Sequence, residues 1–197
     1  VSAGTQIVNL MGTVYQTAFG TLASGTALTL PAVRVGSPFS IGTLTVSNSQ
    51  SGMFTEKLNV LLGGASGDAL ITSGSLSLLG AGSSNGTSLK VTLGGTATAA
   101  EGNKSGSVLV QYASDGAGTS GLAPLDLGSE TLQISGTVYR LASGSLVPGS
   151  LSLGNIRANS VVSDGSITIT NSPSGLAAFT DLLRFNGTVS YTHLRAH

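Results

Sequence analysis

The stretch Leu30 to Gly52, LPAVRVGSPFSIGTLTVSNSQSG, returns without a gap as Leu153 to Gly175, LGNIRANSVVSDGSITITNSPSG. Leu30 matches Leu153, Arg34 matches Arg157, Gly42 matches Gly165 and Asn48 matches Asn171. A second pair frames the first. Residues 4–15, GTQIVNLMGTVY, align with 128–139, GSETLQISGTVY, and share the run Gly-Thr-Val-Tyr. Self-similarity at a fixed period is the signature of a repeat architecture. The expected organisation is therefore one complete unit over residues 16–140, flanked by parts of two others. Residues 1–15 read as the last strand of a preceding unit. Residues 141–188 read as the N-terminal part of a second.

Within the complete unit the apolar residues alternate, the pattern of a strand with one buried face. Val33 and Val35 point one way and Arg34 the other. Leu58, Val60 and Leu62 form one inward set, and Leu89, Val91 and Leu93 another. Val108, Val110 and Tyr112 follow, then Leu132, Ile134 and Val138. Parity shifts between Ile41 and Leu44, so a bulge is expected at Gly42. Asn48 to Gly52 reads as a turn, and Ser114 to Ser129 as the longest irregular stretch. Leu176, Phe179 and Leu183 stand closest to helical spacing, but their counterparts Leu58 to Leu62 alternate by two, which predicts strand there as well. Eight or nine short strands at spacings of roughly 8–12 residues predict an all-β fold of tandem immunoglobulin-like β-sandwiches, one complete and one truncated. The second unit should carry about four strands and leave an apolar face and open edges.

Composition removes several classes of function. Eight basic residues balance eight acidic ones, so there is no electrostatic footprint for nucleic acid. No apolar run approaches the roughly 18 residues of a membrane helix, and no direct membrane insertion is expected of this segment. The chain has no cysteine, hence neither disulfides nor thiolate metal sites. Both histidines, His193 and His197, lie in the last nine residues, VSYTHLRAH. Residues 189–197 resemble one reading frame of a sequencing-library adapter and are set aside from fold reasoning.

The segment Val33-Arg34-Val35-Gly36-Ser37, followed by Leu44-Thr45-Val46-Ser47-Asn48, resembles the opening strands of the ASPM/SPD-2/Hydin-type immunoglobulin-like domains of bacterial choice-of-anchor D proteins. The second copy departs from it, with Asn159 for Gly36 and Ser160-Val161 for Ser37-Pro38. The resemblance implies a long, secreted or cell-surface polypeptide ending in an anchor, sometimes an autotransporter barrel. It carries no catalytic residues. Neighbouring repeats of the same chain are the first partners it implies, and a host or matrix surface ligand is a second.

Motifs that could carry chemistry have plainer readings. Gly82-Ser83-Ser84-Asn85-Gly86 fits the serine-nucleophile pattern, yet it leads into a strand and lacks a histidine base. Asp115, Asp126 and Glu130 lie among Gly and Ser, where carboxylates and carbonyls could supply calcium with its oxygen ligands. They are the only metal candidates; solvated loop acids are the preferred reading, and no cofactor is expected. Arg34 and Arg157 read as outward arginines able to pair with a neighbouring acid, Tyr15 and Tyr139 as packing residues where one unit meets the next. The triplets at Asn85, Asn103 and Asn186 fit the glycosylation acceptor pattern and carry little weight. The expected function is a non-catalytic stalk or spacer, extracellular and adhesive, of a bacterial surface or secreted protein. The alternative is an accessory or carbohydrate-binding module beside a secreted hydrolase, disfavoured by the absence of Trp.

Overall fold

The computed structural model describes residues 3–161, 163–184 and 186. The fold is all-β and sandwich-like. Ten strands lie between Gly20 and Tyr139: β1 (Gly20–Leu22), β2 (Ala27–Thr29), β3 (Val33–Arg34), β4 (Gly42–Asn48), β5 (Lys57–Gly67), β6 (Ala69–Ser73), β7 (Ser75–Leu79), β8 (Ser84–Leu93), β9 (Gly102–Asp115) and β10 (Leu125–Tyr139). One sheet runs β1-β4-β8-β6. The larger runs β2-β10-β9-β5-β7, with β3 joining β2 along the same flank of β10. Most pairs are antiparallel. The exceptions are β2 and β3, which pair with β10 in parallel, Ile134 opposite Leu28 and Val138 opposite Val33.

The alternating sets fill the space between the sheets. Leu44, Val46, Leu89, Val91 and Leu93 come from the smaller sheet. Leu58, Val60, Leu62, Val108, Val110, Tyr112, Leu132, Ile134 and Val138 come from the larger, and all belong to one buried cluster. Burying a Leu or Val side chain contributes about 1.5–3 kcal/mol against exposure, so this cluster holds the sheets together. Glycine permits the closest approach where β5 turns into β6. A Cβ on Gly106 of β9 would stand 2.3 Å from Ala69 N and 2.4 Å from Ser66 O.

Several expectations need correction. The β4 register slips between Leu44 and Val46, not at Gly42. Gly42 opens the strand instead, and Phe39 plugs the core from the preceding loop, 5% exposed, which is why parity changes there. The stretch 114–129 is mostly strand: β9 runs on to Asp115 and β10 begins at Leu125, so only 116–124 is irregular. Ala177–Phe179 is a short 3₁₀ turn rather than strand. Two residues inserted after Gly175, relative to Gly52, give room for it.

The flanks differ from the sandwich. Residues 3–15 form no strand, although their copy in β10 does. A strand exists by its partners, and β10 has β9 on one side with β2 and β3 on the other. After Tyr139 the described residues hold two strands rather than four, β11 (Gly144–Val147) paired with β12 (Thr168–Asn171). No described residue from 141 onward is buried, and Leu151, Leu153, Ile156 and Ile169 lie on the surface. The tail 189–197 lies outside the described residues.

Candidate functional site

None of the chemical motifs assembles. Ser84 Oγ meets Ser47 Oγ at 2.8 Å on the β4–β8 ladder, and Asn85 Oδ1 accepts the amides of Thr87 and Ser88. The would-be nucleophile stretch is thus a capped strand start. The three acids are each occupied nearby. Asp115 accepts Asn59 Nδ2 at 2.6 Å and the Ala117 amide at 2.8 Å. Asp126 accepts the Gly128 amide at 2.8 Å, and Glu130 accepts the hydroxyl of Tyr112. Among the described residues no group of three or more His, Cys, Asp or Glu side chains comes together in a way that could hold a metal ion. Burial of Tyr112, and then its bond to the Glu130 carboxylate, push the phenol well above its ordinary range.

An unforeseen acid matters more. Glu56 is 5% exposed. Its carboxylate accepts Ser114 Oγ at 2.6 Å and Ser120 Oγ at 2.5 Å. Ser114 Oγ in turn accepts the Ala18 amide at 2.8 Å. One carboxylate therefore ties the chain before β1 to the end of β9 and to the 116–122 loop. Buried polar groups need such partners. No periodicity signals this; the only trace in the sequence is an acid one residue before an alternating run.

What recurs in the structure is a joint. Gln16 N donates to Phe54 O at 2.7 Å, and Glu56 N to Gln16 O at 2.9 Å. Later, Arg140 N donates to Phe179 O at 2.8 Å, and Asp181 N to Arg140 O at 2.8 Å. Tyr15 stacks edge-on to Phe54 at 5.6 Å; Tyr139 tilts against Phe179 at 6.3 Å. Asn48 Oδ1 accepts the Phe19 amide at 3.2 Å and its Nδ2 donates to Glu56 O at 3.2 Å. Asn171 does the same to the Ser143 amide at 3.0 Å and Asp181 O at 3.1 Å. Even the register agrees, Gly20 opposite Asn48 and Gly144 opposite Asn171. Asn48 and Asn171 stand out as matched positions in the sequence, but as turn residues. The structure makes each a bracket between three backbone segments.

At the second joint charged pairs are added. Arg34 Nε donates to Asp181 Oδ2 at 2.8 Å. Arg140 holds Glu101 through Nη2 at 2.7 Å and Nε at 3.1 Å, and the Leu176 amide reaches the other oxygen of Glu101 at 3.2 Å. Arg140 first, then backbone amides including that of Leu176, hold the Glu101 carboxyl down at about 2. The outward arginine of the sequence thus has its acid, on the segment that follows the sandwich.

The largest surface groove, about 480 Å³, lies over β5, β7 and β9 and is lined by Asn59, Leu61, Ser75, Gln111, Pro124 and Asp126 among others. It holds no stacking platform of aromatic rings. Among the described residues no helix is long and apolar enough to cross a membrane. No protein-family model matches the chain, and no curated protein matches it.

Proposed function

We propose that the chain is a segment of a tandem array of immunoglobulin-like sandwiches. Its role is mechanical: a non-catalytic stalk or spacer in a bacterial surface or secreted protein, of the choice-of-anchor D kind that its opening strands resemble. The recurrence of the joint carries this reading. The same backbone bridge, the same aromatic pair and the same asparagine bracket come back some 124 residues later. A contact that repeats with the sequence period belongs to the linkage between units. Each unit then contacts mainly its neighbours, and repetition adds length. Low charge and a Ser/Thr/Gly surface suit a spacer, because they offer little for nonspecific association.

Sequencing the parent gene on both sides tests the reading. The expected result is further copies at a spacing of about 124 residues and an anchoring segment. A neighbouring domain with a complete catalytic constellation, and no further copies, would make this sandwich an accessory of that domain.

A further inference from the structure

Residues 4–15 repeat 128–139 of β10, which is paired on both edges in the larger sheet. The earlier copy keeps the same alternating apolar side, and it is bare. Val8 is 78%, Leu10 92% and Val14 89% exposed, and residues 3–15 take part in no ladder. It is a strand without a sheet.

A matching edge lies after the sandwich. Residues 150–157 repeat 27–34, the β2–β3 edge that β10 covers. That edge is already shaped. Leu151 lies over Gly165 as Leu28 lies over Gly42: a Cβ would meet Leu151 Cδ2 at 2.4 Å in one case and Leu28 Cδ2 at 2.7 Å in the other. The turn that follows is conserved between the copies. Ser160 N donates to Arg157 O at 3.1 Å, as Ser37 N donates to Arg34 O at 2.9 Å. Asn159 takes φ 65° where Gly36 takes φ 81°, a left-handed conformation that Asn tolerates better than most residues. Leu153 is nonetheless 51% exposed, whereas its counterpart Leu30 is 4% exposed in the sandwich. The strand that would cover this edge is missing from it.

We propose that residues 5–15 of one copy of the chain pair in parallel with residues 150–157 of a second copy, in the register β10 takes on β2 and β3. This rests on the tandem-repeat reading above. Leu10 then faces Leu151 in place of Ile134 and Leu28, and Val14 faces Ile156 in place of Val138 and Val33. Apolar residue meets apolar residue at both positions. Donor and acceptor are different surfaces, so the contact is head-to-tail and each added chain offers a fresh edge. Main-chain hydrogen bonds supply the affinity, as in other cases of strand addition. The donated strand keeps one open edge, the one β10 gives to β9, so assembly depends on concentration.

The absence of cysteine makes the register directly testable in the full chain. A Leu10→Cys chain is mixed with a Leu151→Cys chain and oxidised. A parallel mixture of Asn9→Cys with Leu151→Cys places the first thiol on the opposite face of the strand. The proposal expects the first mixture to cross-link at least about tenfold faster than the second, because a disulfide forms only across a short Cβ–Cβ distance. It also expects oligomers in light scattering that an excess of the peptide spanning residues 3–15 disperses. Equal cross-linking in both mixtures, or a monomer at every concentration, overturns it. So does a Leu10→Cys/Leu151→Cys double variant that closes only within single chains at high concentration. Failure here leaves the repeat reading standing if the parent gene shows further copies; absence of those copies removes that reading independently.

Discussion

Glu56 and Glu101 show how two acids in a weakly charged chain serve structure. Glu56 is buried and answers two hydroxyls. Glu56→Ala leaves Ser114 and Ser120 without their acceptor, and a buried polar group left unsatisfied costs about 1–3 kcal/mol. Chemical denaturation of the variant should show that loss with an unchanged m-value. Glu56→Gln keeps an acceptor oxygen and should recover part of it. Glu101 works through its charge. Its carboxyl is held at about 2 against an ordinary 4.5, chiefly by Arg140. A depressed carboxylate adds stability that is present above its unfolded value and is lost as pH falls through the folded one. The contacts of Glu101 with Arg140 and Leu176 should therefore hold at neutral pH and release between 4.5 and about 2. The amide proton shift of Leu176, followed by NMR down an acid titration, reads this release. In Glu101→Gln the transition should vanish from that window. Neither acid could be ranked from sequence, because burial and partners set their roles, and the partners lie 39 and 58 or more residues away.

At the scale of elements the sequence was most readable where a strand has one wet and one dry face. Leu58, Val60 and Leu62, or Leu132 and Ile134, sit inside as their spacing predicts, because a strand with one buried face leaves its register no other choice. It was least readable at element ends. β5, β8, β9 and β10 all extend into Gly, Ser and Asn stretches that read as loops, since pairing with a long neighbour recruits residues of low intrinsic propensity. The joint was half legible: its tyrosines and the matched arginine were visible as repeats, while the glutamate of the second joint and the asparagine brackets were not. Gly106 tests the sheet geometry. A methyl there meets backbone atoms rather than flexible side-chain ends, so Gly106→Ala should destabilise the sandwich by about 1–3 kcal/mol or more through overpacking. Gly95→Ala, where nothing lies within 4 Å of the added carbon, is the control and should change stability little. Tyr139→Ala removes the ring that meets Phe179. Aromatic pairs contribute about 0.5–1.5 kcal/mol beyond area burial, so the variant should widen the small-angle scattering profile of the full chain while the melting of the sandwich stays near that of the parent. Arg34→Ala, which breaks an ion pair whose arginine is 64% exposed, should cost no more than about 0–1 kcal/mol.

Over the whole molecule stability is distributed very unevenly, and that distribution follows from the repeat. Every buried apolar residue lies between Ala18 and Val138. After the sandwich, β11 and β12 pair with each other and with nothing else, while Leu146, Val147, Leu151 and Ile169 remain on the surface. Two strands alone are marginal in water. What orders this part is the sandwich, through Arg140, Glu101 and Tyr139. In a quasi-one-dimensional array the last incomplete unit depends on its neighbour in this way. Hydrogen exchange on the full chain should therefore separate two populations. Amides of Val108, Val110, Leu132 and Ile134 should open only with global unfolding. Those of Leu146 and Ile169, which pair only across β11 and β12, should exchange at least about a hundredfold faster through local opening. Isolated residues 141–188 should show no cooperative melt and should aggregate, because their apolar face has neither a covering sheet nor the joint. A monomeric, cooperatively melting 141–188 fragment would mean that the segment carries a core of its own, and dependence on the neighbouring sandwich would then be the wrong account of its order.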